Sequence, residues 1–388
     1  MTAGLDANAV LARAQTETGL YDYGDPTLPE RFCLAVDHLN GIGMDANGIE
    51  QAESVCHWLL TSRLEFIEDR NRYPIAAEVI DHPMFVTGEP RSGTTLMHVL
   101  MAVDPHARAL RFWEVMYPSP PPGLARPDDP RRARADADWR EINAKMPKWL
   151  LSHPYNDMLG DGLPEDERSW AFDFRVMTPT AWWRVPMQTL VAGLPTDSVA
   201  QYRLHMAMLQ QLQYNRPPKY WVLKGFHGFR LKEFFDTYPD ANLLWLHRDP
   251  AQVAASRTMM IADILDGIVG PIDLAVEAKK HLEMSRQARV QGFQCDLRPT
   301  ACRRISLSHP ESGAGLRSGP RNPRPPLSAD SLLLQPNPQT GRRLRGFHLP
   351  TGLDRRPIRL PHNRNTRHSH VFQHHRAGGA SRRSACPA

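Results

Sequence analysis

One stretch constrains the fold of this chain more than any other, Met84 to Leu100, which reads MFVTGEPRSGTTLMHVL. A short apolar, partly β-branched run leads into a turn bounded by Gly88 and Gly93, and apolar residues at helical spacing follow from Leu96. The pattern predicts a strand, a glycine-bounded loop and the N-terminus of a helix. Such a loop presents backbone N–H groups and the positive end of a helix dipole to an anion.

This loop differs from the common nucleotide-binding loop in one informative position. Gly88 and Gly93 have the spacing of the pattern G-x-x-x-x-G-K-[ST], but Thr94 stands where the lysine should be. An arginine, Arg91, lies inside the loop instead. The sequence therefore predicts a phosphate ligand that is not a magnesium-bound γ-phosphate.

Two later segments repeat the order of strand and helix. Tyr220–Leu223 and Asn242–His247 read as buried strands, and helix-like spacing follows each of them. Strands alternating with helices form a parallel sheet that binds ligands at the carboxyl ends of its strands. Lys224 and Arg248 directly follow these two strands, as Arg91 follows the first. We expect the three cations to converge on one edge of the sheet.

The segments around this α/β core have other patterns. Residues 1–80 carry apolar residues near helical spacing and predict an N-terminal helical region. Residues 104–219 contain a Pro-rich stretch and then a stretch rich in Trp and Met. We interpret this part as a helical insertion that binds an apolar acceptor, because Met supplies adaptable apolar surface. The alternative interpretation is an ordinary helical core. The ligand-binding core then comprises residues 81–294.

Residues 295–388 differ sharply from the rest of the chain. They hold 17 arginines, no lysines and 4 acidic residues, so their net charge is +13 and residues 1–294 carry 5 − 13 = −8. With 12 prolines and no helical or strand period, they predict a disordered basic tail, for which nucleic-acid binding is one possible function. A second hypothesis is that this segment is translated out of frame, since its Arg, Pro, His and Ser richness is typical of a shifted frame in a GC-rich gene.

The composition argues against a membrane-spanning protein, a secreted protein and a protein held together by disulfides or a cysteine-bound metal. No run of 18 residues is apolar and no signal segment opens the chain, which predicts a cytoplasmic protein. The five cysteines form neither a paired framework nor a metal-binding spacing.

Two motifs together resemble one enzyme family. The loop Pro90–Thr95 and the later segment Arg248-Asp249-Pro250 with Ser256 resemble the sulfotransferases that use 3′-phosphoadenosine 5′-phosphosulfate (PAPS). In that family a P-R-[ST]-G-[ST]-T loop holds the 5′-phosphosulfate, and an R-D-P-x-x-x-x-x-S segment holds the 3′-phosphate. The resemblance covers roughly residues 60–294 and implies a P-loop-like three-layer α/β fold with a central parallel sheet. The matching cofactor-binding residues are Arg91, Ser92, Gly93, Thr94, Thr95, Arg248 and Ser256.

The resemblance also implies a reaction. It implies transfer of a sulfuryl group from PAPS to a hydroxyl of a hydrophobic acceptor, without a metal and without nucleic acid. Within the family the chain looks most like the bacterial, mycobacterial-type branch that acts on lipid and small-molecule alcohols, and an ω-hydroxylated menaquinone is the specific acceptor it suggests. Such an acceptor implies peripheral contact with the inner face of the membrane.

The chemistry requires a cation and a base. Sulfuryl transfer is an in-line displacement in which charge builds on the bridging oxygen, and Lys224 is the candidate donor to that leaving group. The acceptor hydroxyl needs a general base. Family members use a histidine after the second motif strand or a glutamate, so Glu165, Glu167 and His227 all remain candidates.

One expected segment is missing. The family closes its 3′-phosphate site with a basic segment such as R-K-G-x-x-G, and Gly341–Gly346 is a poor substitute for it. A P-loop kinase is the alternative enzyme, against which Thr94 argues. The non-enzyme alternative is a nucleic-acid-binding protein that acts through its basic tail.

Overall fold

The computed structural model describes residues 4–41, 46–145, 156–174, 197–266, 273–294 and 302–306. Within these ranges five strands form one parallel sheet in the order β2-β3-β1-β4-β5. The strands are β1 Met84–Gly88, β2 Ala107–Arg108, β3 Tyr220–Lys224, β4 Asn242–His247 and β5 Cys302–Ser306.

Helices precede, connect and follow these strands. The α-helices are α1 Ala7–Thr18, α2 Leu28–Asn40, α3 Ala46–Arg72, α4 Thr94–Met101, α5 Phe112–Met116, α6 Pro130–Lys145, α7 Ser198–Gln213, α8 Leu231–Thr237, α9 Pro250–Asp266 and α10 Leu274–Gln294. Short 3₁₀ helices span Ile75–Ala77, Asn156–Asp161, Asp166–Asp173 and His227–Phe229. This mixed α/β architecture with a central parallel sheet confirms the predicted fold class, and the predicted helical character of residues 1–80 is confirmed in their described part.

The order of the strands reverses beside β1. Phe85 of β1 is in register with Leu223 of β3 on one side and with Leu243 of β4 on the other. The chain passes from β1 to the edge strand β2, returns to β3 and then crosses to β4. Ligands of open α/β sheets bind where the strand order reverses in this way, at the carboxyl ends of the strands.

The N-terminal helices are packed onto the end of the 3₁₀ helix Asp166–Asp173, within the insertion. Phe32 of α2 meets Phe174 edge-on, with ring centroids 4.8 Å apart. Arg31 is buried, and its Nε donates to the Asp173 carbonyl at 2.8 Å while its Nη2 reaches the Asp173 carboxylate at 2.6 Å. The N-terminal region thereby fixes the end of the 3₁₀ helix Asp166–Asp173.

Residues 295–388 were predicted to form a disordered tail, and Cys302–Ser306 differs from that prediction because it forms strand β5. This segment pairs in parallel with β4 over its whole length, from Leu243↔Cys302 to His247↔Ser306. It lacks an alternating apolar pattern, so its strand conformation comes from pairing with the open edge of β4, which uses only backbone groups. The rest of the tail, including Gly341–Gly346, lies outside the described residues.

Much of the predicted acceptor-binding insertion also lies outside the described residues, namely 146–155 and 175–196. Trp170, in its described part, is buried in the main core. In the part of the chain that the structure describes, no helix is both long enough and apolar enough to cross a membrane.

Candidate functional site

The loop after β1 is shaped by its two glycines. Gly88 has φ +155°, and a Cβ at this position would lie 2.6 Å from the Leu246 carbonyl oxygen and 2.7 Å from Ser92 Oγ. Gly93 has φ +96° and precedes α4. Both positions therefore require a residue without a side chain, and the predicted strand, loop and helix are confirmed.

The two sequence motifs meet at this loop. Arg91 Nε donates to Ser256 Oγ at 2.9 Å, and Arg248 Nη1 donates to the Arg91 carbonyl at 2.9 Å. Burial and the neighbouring Arg248 lower the pKa of the Arg91 guanidinium. Arg91 also has φ +72°, an uncommon conformation outside glycine. Two adjacent cations held in this way favour an anion beside them.

The loop has donors that fit such an anion. The N-terminus of α4 has no side-chain cap, and the first N–H groups of a helix have no partner within it. Ser92 Oγ is buried and has no hydrogen-bond partner among the described residues. Backbone N–H groups, a hydroxyl and two guanidinium groups are the donor set expected around a phosphate or sulfate.

Lys224 joins the loop to an acidic segment. Its buried Nζ donates to Glu165 Oε1 at 2.5 Å and to Thr95 Oγ1, in the first turn of α4, at 3.4 Å. Burial raises the pKa of Glu165, but the Lys224 ammonium and the Arg168 guanidinium outweigh it and lower the pKa to about 2. Glu165 is therefore ionised at neutral pH, and its side chain is 31% exposed.

Glu167 has a different environment from Glu165. Its Oε1 accepts a hydrogen bond from the Phe226 backbone N–H at 2.6 Å. Burial raises the pKa of Glu167 to about 7, and Asp166 contributes in the same direction while His227 opposes it. Glu167 thus holds the backbone after β3 and does not contact the lysine.

His227 is enclosed in the core. Its Nε2 lies 3.2 Å from Asp166 Oδ2 and its Nδ1 lies 2.9 Å from Tyr202 Oη. Burial lowers the pKa of His227, but the Asp166 carboxylate outweighs it and the net shift is upward. His227 is 0% exposed, so its imidazole is closed to solvent in this conformation.

Sequence reasoning did not single out three residues of this buried group. Tyr202 and His205 lie on α7, and Tyr238 follows α8. His205 Nδ1 lies 2.6 Å from Tyr238 Oη, and its Nε2 lies 3.7 Å from Asp166 Oδ1. Polar side chains on helices carry no local signal of such a contact, which depends on the packing of α7 against the 3₁₀ helix Asp166–Asp173.

One group of side chains among the described residues is close enough to share a metal ion. It consists of Asp81, His82 and Asp240. Asp81 and His82 precede β1, and Asp240 precedes β4. The group therefore lies at the amino ends of the strands, whereas the loop Gly88–Gly93 follows the carboxyl end of β1.

The raised pKa of Glu167 predicts how the stability of the protein depends on pH. Because its pKa of about 7 exceeds the ordinary value of 4.5, the folded state favours the protonated carboxyl. This contribution is complete below about pH 4.5 and is lost as the pH rises through about 7. Glu167→Gln, which imitates the protonated group, is expected to be more stable than wild type at pH 8 by on the order of 1–3 kcal/mol.

Urea unfolding at pH 5, 6.5 and 8 measures this effect. The difference between variant and wild type should grow with pH, whereas the exposed control Glu30→Gln should follow the wild-type curve. Parallel curves for Glu167→Gln and wild type would show that its carboxyl is ionised in the folded protein throughout this range.

Comparison with known proteins agrees with this arrangement. A profile of the sulfotransferase family matches residues 83–294. This match covers more than half of the 388 residues. The chain therefore belongs to the sulfotransferase family, and it is a sulfotransferase rather than a kinase.

Two crystal structures of mycobacterial proteins share the fold. Sulfotransferase STF9 from Mycobacterium avium is 24% identical, with a TM-score of 0.62 over 76% of this chain and 76% of its own. Sulfotransferase STF1 from Mycobacterium tuberculosis H37Rv is 23% identical, with a TM-score of 0.59 over 78% of this chain and 84% of its own. No curated protein sequence gives a significant match.

Proposed function

We propose that this sulfotransferase takes its sulfuryl group from PAPS and transfers it to a hydroxyl of a hydrophobic acceptor. The junction of the two motifs carries the proposal. Arg91 of the loop bonds to Ser256, and Arg248 bonds to the Arg91 carbonyl, although 157 residues separate the two arginines in sequence. This junction would supply cations for two anionic groups of one ligand. Sulfotransferases in general use PAPS, which carries two such groups, a 5′-phosphosulfate and a 3′-phosphate.

The residues divide between these two anionic groups. Arg91, the Ser92 hydroxyl and the N–H groups from Gly93 to Thr95 would hold the phosphosulfate at the N-terminus of α4. Arg248 and Ser256 would hold the 3′-phosphate, since a guanidinium offers two parallel donors to a phosphate. PAPS supplies an activated sulfuryl group whose leaving group is a phosphate.

Lys224 and Glu165 are the proposed groups that act on the reacting atoms. Lys224 Nζ already reaches Thr95 on the loop helix, so it can place its charge beside the leaving oxygen. Glu165 is the proposed base because it is partly exposed, ionised and in contact with Lys224. Position takes precedence over pKa in choosing a base. Glu167, despite its pKa of about 7, is engaged with Phe226, and His227 is enclosed.

A hydrophobic alcohol is the proposed acceptor. Its support is the Trp- and Met-rich sequence of the insertion, residues 104–219, which lies between the two cofactor motifs. A lipid or an ω-hydroxylated menaquinone belongs to this class. We place the enzyme in the cytoplasm, where peripheral contact with the inner face of the membrane would give access to such acceptors.

The 3′-phosphate contact can be tested without knowing the acceptor. Calorimetric titration with 3′-phosphoadenosine 5′-phosphate (PAP) and with AMP compares ligands that differ only in the 3′-phosphate. Wild type should prefer PAP, and Arg248→Ala should reduce the ratio of PAP to AMP affinity about 10–100-fold, because hydrogen bonds to charged groups contribute about 1.5–3 kcal/mol. Arg248→Ala also loses the hydrogen bond to the Arg91 carbonyl. That loss should change the affinities for PAP and AMP alike, so it cancels in their ratio.

Arg286→Ala is the matched control, because Arg286 is 71% exposed and forms an ion pair with Glu283, three residues before it. It should leave both affinities unchanged. Equal affinity of the wild-type protein for PAP and AMP would rule out a 3′-phosphate site and with it the proposed donor.

A further inference from the structure

Three consecutive acidic residues are joined, one by one, to the end of β3 and the residues after it. The contacts are Glu165 Oε1 with Lys224 Nζ at 2.5 Å, Asp166 Oδ2 with His227 Nε2 at 3.2 Å, and Glu167 Oε1 with the Phe226 N–H at 2.6 Å. The Glu165–Lys224 contact lies at the partly exposed edge of this group, and the Glu167 contact is made to the backbone. The Asp166–His227 contact between them is completely buried. The position of the acidic segment therefore depends on its middle residue.

Asp166 is held from two sides. His227 contacts one of its carboxylate oxygens, and His205 lies 3.7 Å from the other. Each imidazole is held in turn through its Nδ1 by a tyrosine hydroxyl, Tyr202 for His227 and Tyr238 for His205. All five side chains are buried. A buried carboxylate is stable only with such partners, which in return fix its position.

The neighbouring backbone leaves space for this pair. Gly225 lies between Lys224 and Phe226, and a Cβ added there would lie 2.7 Å from His227 Nε2 and directly against Asp166 Oδ1. Any side chain at position 225 would therefore separate Asp166 from His227. The sequence Lys224-Gly225-Phe226-His227 combines the lysine of the site with the small residue that this contact requires.

We propose that Asp166 is a positioning residue for sulfuryl transfer, which through its contact with His227 holds Glu165 against Lys224. This inference rests on the proposed function, in which Glu165 and Lys224 act on the reacting atoms. His227 then serves the base by fixing Asp166, and it is not the base itself. The Asp166 carboxylate contacts His227 and His205, so we expect it to have no effect on the proposed cofactor contacts of Arg91 and Arg248.

Asp166→Asn tests the inference, because asparagine keeps the shape of the side chain and removes its charge. Turnover of a model alcohol with PAPS, KM for PAPS, the affinity for PAP and the thermal midpoint are measured together. We expect kcat to fall about 10–100-fold, the loss typical of a catalytic group displaced by about 1 Å, while the affinity for PAP stays within about twofold of wild type. The exposed control Asp236→Asn should match wild type in every measurement.

Two tyrosine variants provide the test if Asp166→Asn does not fold. Tyr202→Phe and Tyr238→Phe each remove one hydroxyl from one imidazole and leave a buried ring. Tyr202→Phe should lower kcat about tenfold because it frees His227, whereas Tyr238→Phe, which acts on the more distant His205, should lower it less than about threefold. A general loss of packing would affect the two variants equally.

Three results would each overturn the inference. Folded Asp166→Asn could convert the model alcohol at the wild-type rate, or it could lose affinity for PAP in proportion to its loss of kcat. The third result is an equal loss of kcat in the two tyrosine variants. The proposed donor is judged separately, by the wild-type preference for PAP over AMP. A failure of one is therefore distinguishable from a failure of the other.

Discussion

Glu165→Gln is expected to lower kcat about 10²–10⁴-fold, which is the usual contribution of a general base. Glutamine keeps an oxygen that Lys224 can contact, but it cannot accept the proton of the acceptor hydroxyl. Affinity for PAP should stay within about twofold of wild type, because the Glu165 carboxylate is paired with Lys224 and Arg168 and its negative charge does not attract a phosphate. Steady-state turnover with saturating PAPS measures the first effect, and calorimetry measures the second.

Glu167→Gln makes the same chemical change two positions further on. Its amide oxygen can still accept the hydrogen bond of the Phe226 N–H, so we expect it to retain kcat within about tenfold of wild type. Glu30→Gln, on the exposed side of α2, controls for the substitution itself. The reverse pattern, with Glu167→Gln inactive and Glu165→Gln active, would assign the base to the residue whose pKa is about 7.

The low pKa of Glu165 is compatible with a role as base. While Lys224 is paired with it, the carboxylate is ionised but weakly basic. When Lys224 turns its charge toward a leaving oxygen, the stabilisation of the carboxylate decreases and its basicity increases. In the proposed reaction, the same lysine would thus couple the leaving group to the base.

The sequence predicted the loop after β1 and the meeting of the two motifs much better than the interior of the site. Arg91, Lys224 and Arg248 each follow a strand of apolar residues, and parallel strands bring their carboxyl ends together whatever the intervening chain does. The local sequence pattern was enough to predict these three positions, because the strand period and the two glycines can be recognised within a few residues. Their convergence followed from the topology alone.

The interior of the site depends on contacts that no local pattern encodes. Glu165 and Glu167 have the same side chain and lie two residues apart, yet packing against Lys224 lowers the pKa of one and burial beside Asp166 raises that of the other. His227 was a candidate base from its place after β3, and its enclosure by Asp166 and Tyr202 is the observation behind the supporting role that we propose for it. Strand β5 was missed for a similar reason, because its partner is the backbone of β4.

Lys224→Met is expected to lower kcat about 10²–10³-fold, the loss found when one donor to a developing oxyanion is removed. Methionine fills a similar volume in this buried position without supplying a charge. Lys232→Met is the matched control, because Lys232 also forms an ion pair, with Asp236, but is 79% exposed. Wild-type turnover by Lys224→Met would exclude the lysine from the transition state.

The same variant has a second expected result that does not depend on activity. Because the folded-state pKa of Glu165 is about 2, its ion pair stabilises wild type above about pH 4.5, and this contribution is lost as the pH falls toward 2. Without Lys224 the pKa of Glu165 should rise, so the variant should lose less stability than wild type between pH 5 and pH 3 in urea unfolding. If that pH dependence is unchanged while kcat falls, Lys224 acts on the leaving group without being coupled to Glu165. If the pH dependence of stability and kcat both change, one ammonium group sets the charge of the base and stabilises the leaving oxygen.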